Sequence, residues 1–188
     1  MIFMLDKLDI RKEQHYVKHL STIVKTKAIS QFTLKWTDRL DVCKTEESGK
    51  LRTYALFKQQ FKFEPYLNVI KDPVVRSCLT KFRISAHKLE IETGRYRKIA
   101  VNDRICKCCT LHETETEEHF LCRCPLYEQE RQLYVSNISK SIPHFSALLQ
   151  SEQFLYVMSS ENTETITATA DFIHKCYVSR LSFLTAVQ

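Results

Sequence analysis

The sequence predicts a mainly α protein: a helical domain stapled by a small Cys3His module that stands between a basic and an acidic half. Three observations carry this. Two glycines and four prolines in 188 residues leave little material for hairpins or sandwiches. Hydrophobic residues at 44%, with 11% of the chain aromatic, suffice for a packed core and argue against disorder. Five of the eight cysteines fall, with two histidines, within RICKCCTLHETETEEHFLCRCPLY, from Arg104 to Tyr127.

Residues 11–42 read as helix, with Val17, Leu20, Val24, Ile29, Phe32, Leu34 and Leu40 near helical spacing and a break expected near Thr26. A polar stretch from Thr45 to Lys50, with Gly49, is the first expected linker. In LRTYALFKQQFKFEPYL, the rings of Tyr54, Phe57, Phe61, Phe63 and Tyr66 interleave with Arg52, Lys58 and Lys62. Such spacing serves a core, and alternatively lets Tyr54 or Phe57 stack on bases. Asp72-Pro73 is a helix start, an N-cap acceptor before proline at the first helical position. This helix is expected to end at Gly94, with Val75, Leu79, Phe82 and either Ala86 or Leu89 inward and Arg76, Lys81, Arg83 and Lys88 on a basic outer face. Further helices are expected over Pro125 to Ile138, with Leu126, Leu133 and Ile138 inward, and over Ser141 to Met158. A last one over Asn162 to Val187 steps through Ile166, Ala170, Ile173, Tyr177, Leu181 and Leu184. The run Glu113 to Glu118 reads as the entry to a short helix carrying His119, or as a solvated loop. Three regions result: 1–44, 51–138 and 139–188.

Six side chains compete for a metal: Cys106, Cys108, Cys109, His119, Cys122 and Cys124. Cys106 and Cys109 have the C-x2-C spacing that points two thiolates at one ion, and Cys108 between them then faces away. His119 to Cys122 is an i,i+3 pair that can converge on a helix. Pro125 nevertheless breaks the chain just after Cys124 and lets that cysteine swing onto an ion held by the preceding turn. The favoured set is Cys106, Cys109, His119 and Cys124, holding one structural Zn2+ in a closed shell with no open position for catalysis. His112 lies too close to Cys109 to share its ion and reads as a loop residue. The scattered Cys43, Cys78 and Cys176 read as buried free thiols of a reducing, intracellular compartment, nuclear or cytoplasmic. The N-terminus is apolar only to Leu5, and no run approaches the roughly 18 apolar residues of a membrane span.

Charge is uneven. Residues 1–105 carry 22 cationic against 12 acidic side chains (+10), and residues 106–188 carry 6 against 10 (−4), which together make the net +6. The basic half suits a polyanion held through phosphate contacts. Candidate contacts are Lys58, Lys62, Arg76, Lys81, Arg83, Lys88, Arg95, Arg97 and Arg104.

The stretches LRTYALFKQQFKFEPYL, LTKFRISAHKLEIETGRY, RICKCC and ETEEHFLCRCPLYEQER together resemble the region after the polymerase domain in reverse transcriptases of non-LTR retrotransposons. The pattern is R-x-S-x-H-x-L-x-I-E-x-G-R, then R-x-C-x2-C, E-x-x-H-F-L and C-P-x-Y, and it covers Leu51 to Arg131. The resemblance implies a zinc-binding, nucleic-acid-associated tail with Cys106, Cys109, His119 and Cys124 as ligands. No adjacent Asp-Asp pair occurs, so the polymerase chemistry of that family has no counterpart here. No Ser-His-Asp or Gly-rich arrangement suggests another enzyme or a small-molecule substrate. The expected function is non-catalytic binding of RNA or DNA. The alternatives are a zinc-stapled platform for a protein partner and a fragment of a decayed element without function.

Overall fold

A computed structural model describes residues 20–45 and 49–186 of the chain. Eight α-helices are described: α1 Leu20–Thr45, α2 Arg52–Phe57, α3 Tyr66–Val69, α4 Pro73–Arg83, α5 Glu90–Tyr96, α6 Glu128–Ser141, α7 Gln150–Ser159 and α8 Thr163–Ala186. Short 3-10 turns at Val101–Asp103, Pro125–Tyr127 and Phe145–Ala147 and a π turn at His119–Arg123 join them. The described residues contain no strand, and the fold is mainly α, as predicted.

Local chemistry sets the helix ends. Asp72 Oδ1 accepts from the amides of Val74 (2.7 Å) and Val75 (3.1 Å), and Pro73 supplies a fixed φ at the first helical position. The helix so started stops at Arg83, short of the expected Gly94. The amide of Ala86 donates to Lys81 O (2.8 Å), and Ser85 turns left-handed at φ 51° to close the end. Gly94 lies inside the separate helix α5. A Cβ there would stand 2.5 Å from Arg104 Cγ and 2.9 Å from Cδ, so close approach of the arginine stem requires glycine. At the start of α8, Asn162 Oδ1 accepts from Thr165 N (2.9 Å) and caps the helix.

Two other expectations change. The segment Ser141 to Met158 is interrupted at Pro143, which has no amide to continue a helix, and resumes as α7. Helix α6 turns Arg131, Tyr134 and Ile138 inward and leaves Leu133 71% exposed. The Arg131 guanidinium sets that face, donating to Leu121 O (3.0 Å) and Cys124 O (2.6 Å) just below the helix.

Helix α8 packs along α4 and α6, and its Ile166, Ala170 and Ile173 are buried. At the centre, Phe82, Phe120, Tyr127 and Tyr177 gather with ring centroids 4.6 to 6.4 Å apart, and Tyr134 stacks on Phe172 at 4.6 Å. Removing the Phe82 and Phe120 rings wholly from water contributes about 1.5–3 kcal/mol each. This core runs from Phe57 to Cys176, so the regions expected as 51–138 and 139–188 share it. A small second cluster joins Leu40 and Cys43 of α1 to Ala55 of α2. These two are the buried residues of α1, which is continuous through Thr26, where a break was expected; residues 11–19 lie outside the described residues.

Candidate metal centre

Two elements face each other across the cysteine cluster. In the first, residues 104–106 run antiparallel to 113–115: Cys106 N donates to Glu113 O (2.9 Å) and Glu115 N to Arg104 O (2.9 Å), about the bridge Ile105–Thr114. The intervening loop turns through His112 in the left-handed region (φ 55°) and presents Cys106 and Cys109 together. In the second, Thr116 Oγ1 accepts from His119 N (3.0 Å), and the chain then winds one π turn closed by Cys124 N donating to His119 O (2.8 Å). Residues five apart lie about 140° from each other around an α-helix. The wider π turn brings Cys124 back to the side of His119, and Pro125 ends it.

The donor atoms of Cys106, Cys109, His119 and Cys124 all lie within 4.8 Å of one another and could hold one metal ion. Cys106 Sγ stands 3.9 Å from Cys124 Sγ, and Cys109 Sγ 3.5 Å from His119 Nε2. A regular tetrahedron with Zn–S of about 2.3 Å and Zn–N of about 2.0–2.1 Å has edges of about 3.8 Å and 3.6 Å. Glu113 Oε2 lies 3.0 Å from His119 Nδ1, which fixes the ring and leaves Nε2 to face the thiols. Cys106, His119 and Cys124 are buried and Cys109 half-buried.

Crowding governs the protons here. Hydrogen bonds from the Cys108 and Cys124 thiols push the Cys106 thiol far down. The hydrogen bond to Cys106 and burial raise Cys124, and burial raises Cys109. Burial opposes protonation of His119, but Cys106 and Glu113 outweigh it and raise the imidazole. A divalent cation among them would stabilise all three as thiolates.

The spare candidates have other partners. Cys122 is buried, donates to Gln150 O of α7 (3.5 Å), and has its thiol pushed up to about 12 by burial. Cys108 forms a second grouping with Cys106 and Glu115, but Cys106 belongs to the first set and the Glu115 oxygens are already engaged. They accept from Arg180 Nε (2.9 Å), Arg180 Nη2 (2.8 Å) and Glu90 N (2.6 Å).

That last contact belongs to a network absent from the sequence-based expectation. The acidic run is neither a solvated loop nor simply a helix entry. Glu113 holds His119; Glu115 binds Arg180; Glu117 Oε1 accepts from Arg52 (2.8 Å) and Ser85 Oγ (2.8 Å) and lies 2.8 Å from His87 Nε2. Glu115 and Glu117 are buried. The signal was the strict alternation E-T-E-T-E, the period of extended chain rather than of helix. Glu92 pairs with Arg52 and Arg95, and Arg104 donates to the carbonyls of Ile91 (2.8 Å) and Ile99 (3.0 Å). The residues of the R-x-S-x-H-x-L-x-I-E-x-G-R pattern thus tie α4 and α5 to the cysteine module from within.

The network changes the basic face. Arg83 is buried under Phe57 and Tyr66, donating to Met158 O and to Glu64 Oε2 (2.8 Å). Lys58 is buried against Glu64 (2.6 Å), and Arg104 is buried as described. These three have no surface to offer a phosphate, because internal carboxylates and carbonyls already compensate their charges. Arg95 and Arg97 pair with Glu92 and Glu90, Lys62 with Glu161, and the half-buried Arg76 donates to Ile70 O (2.9 Å). Lys81 and Lys88 are exposed and have no ion-pair partner among the described residues. Of the ring candidates, Phe57 is buried and Tyr54 half-buried with its hydroxyl on Glu64 (2.9 Å), whereas Phe61 and Phe63 are 49% and 60% exposed.

Between α4 and α8 lies an apolar groove of about 860 Å³, lined by Val74, Cys78, Val178, Leu181 and Leu184 and bordered by Lys81 and Lys88. Among the described residues, no helix is long and apolar enough to cross a membrane. Comparison with known proteins finds no matching family model, no similar curated protein and no similar solved structure.

Proposed function

We propose that this chain is a zinc-stabilised, non-catalytic module that binds nucleic acid, RNA or DNA, and works in a reducing intracellular compartment. The observation that carries the metal part is the near-tetrahedral donor set itself. Three thiolates and one imidazole, mostly buried, suit Zn2+ better than harder cations, which prefer oxygen ligands. Four protein donors complete the shell, so the ion's role is to hold the 104–124 segment in shape.

The nucleic-acid part rests on cations that no carboxylate neutralises among the described residues. On α1 these are Lys25, Lys27, Lys35 and Arg39, and near α4 and α5 they include Lys81 and Lys88. The resemblance to the tail of non-LTR reverse transcriptases points the same way. Gel retardation across a salt series tests it: affinity should fall steeply as salt rises. Absence of any complex at low salt would refute the proposal, and a flat salt response would refute phosphate contact.

The groove between α4 and α8 favours a second reading, a platform for a protein partner. Its Val178 and Leu181 are 53% and 60% exposed, an apolar rim of the kind that marks interaction sites. Leu181→Asp should abolish such docking and leave nucleic-acid binding unchanged.

A further inference from the structure

Among the described residues, helix α1 carries one face that is covered at one end and exposed at the other. At about 100° per residue, Lys25, Ile29, Phe32, Trp36 and Arg39 fall within one narrow stripe. The same face continues to Leu40 and Cys43, which pack against α2. Towards the N-terminal end no described residue covers it: Phe32 is 66% and Ile29 59% exposed. Asp38 and Asp41, the two carboxylates of α1, fall on the opposite side of the helix, and Asp41 is paired with Lys44 (2.8 Å).

The loop between α2 and α3 extends this face. Phe61 stands 5.8 Å from Trp36, ring centre to ring centre, with the planes inclined at 58°. Phe32 lies one helical turn before Trp36, about 6 Å along the axis. Three rings therefore line up beside Lys25, Lys35 and Arg39, none of which has an ion-pair partner among the described residues. Apolar rings alone would suit many partners. Rings flanked by uncompensated cations, with the carboxylates turned away, suit a flexible polyanion whose faces are flat and aromatic.

We propose that Phe32, Trp36 and Phe61, with Lys25, Lys35 and Arg39, form a stacking platform for single-stranded nucleic acid. This rests on the nucleic-acid reading above and narrows it. Bases of an unpaired strand stack on the rings while its phosphates lie against the cations; the bases of a duplex are already stacked on one another and gain nothing from the rings.

Trp36 is the chain's single tryptophan, so its fluorescence reports on this platform alone. The full chain, loaded with zinc, is titrated with oligo(U), with oligo(dT) and with a duplex of equal length, following Trp36 emission and the anisotropy of end-labelled strands. The single strands should quench Trp36. Phe61→Ala and Phe32→Ala should each weaken single-strand binding about five-fold or more while changing duplex binding by less than about two-fold. Phe61→Tyr should retain the wild-type affinity, and unchanged zinc content and circular dichroism establish that the variants fold. Single strands that bind without quenching Trp36, and equally well to the alanine variants, would overturn the platform and leave the nucleic-acid reading standing. No binding of any strand at low salt would overturn both. A dimer in which Phe32→Ala restores the monomer would overturn the platform in favour of a second copy of the chain.

Discussion

Glu115 and Arg180 form a deeply buried ion pair of the cysteine module, with side chains 1% and 6% exposed. The guanidinium grips both carboxylate oxygens, at 2.9 and 2.8 Å, and Glu90 N donates a third bond at 2.6 Å. Burial pushes the Glu115 carboxyl up, and the two-point grip of Arg180 opposes it. Replacing Arg180 by Met leaves a carboxylate without its counter-charge, 3.7 Å from Cys106 Sγ. Removing one partner of a buried pair costs about 3–5 kcal/mol, because the remaining charge is desolvated and uncompensated. For a chain of this size that lowers Tm by about 6–20 °C. Glu115→Gln should cost a similar amount from the other side. The double variant should cost less than the sum of the two by about 0.5–3 kcal/mol, since neither lone charge is then present. Urea unfolding of the four proteins at saturating zinc measures the cycle. Single costs below about 1 kcal/mol, or strict additivity, would refute the argument that the pair acts as one buried unit.

Gly94→Ala should destabilise by about 1–3 kcal/mol, although alanine is the better helix former, because the new Cβ collides with the anchored Arg104 stem; a more stable variant would show that stem free to move. At Glu64, burial raises the carboxyl but Lys58, Arg83 and Tyr54 outweigh it and hold it below the usual range. A lowered folded-state value gives stability that is present at neutral pH and lost as pH falls through the carboxylate range. The stability gap between wild type and Glu64→Gln should therefore shrink on acidification, and a gap that widens in acid would contradict this. Glu113→Ala should weaken zinc binding about 10–100-fold with one ion still bound at saturation, read by competition with a chelator; unchanged affinity would remove Glu113 from its part in orienting His119.

The parts of this fold visible in the sequence are those set by short-range chemistry. Asp72-Pro73 announced α4 because the cap and the ring act within three residues. The spacing of Cys106, Cys109, His119 and Cys124 singled out the four donors that the structure brings together. The π turn was not legible, since the break at Pro125 shows where the turn ends and not how wide it is. Gly94 misled because glycine commonly ends helices, whereas here it answers to Arg104, ten residues away in sequence and directly against it in space. Arg83, Lys58 and Arg104 read as surface cations because a charged residue is usually exposed. Their acceptors, Glu64 and the carbonyls of Met158, Ile91 and Ile99, are fixed only by the tertiary fold.

The basic stretch before the cysteines thus changes its meaning. Its arginines and glutamates are an internal frame for the cysteine module, and the cations left without an ion pair stand on α1 and at the edges of α4 and α5. The frame and the donor set are one construction: Glu113, Glu115 and Glu117 reach, in turn, a donor histidine, the helix α8 and the helix α2.

Zinc content tests this most directly. The purified full chain should carry one zinc per molecule, as should Cys122→Ser and Cys108→Ser, while Cys109→Ser and His119→Ala lose it or bind it far more weakly. A wild-type chain that takes up no zinc, or a Cys122→Ser variant that loses the ion while Cys109→Ser keeps it, would contradict the Cys106, Cys109, His119 and Cys124 centre.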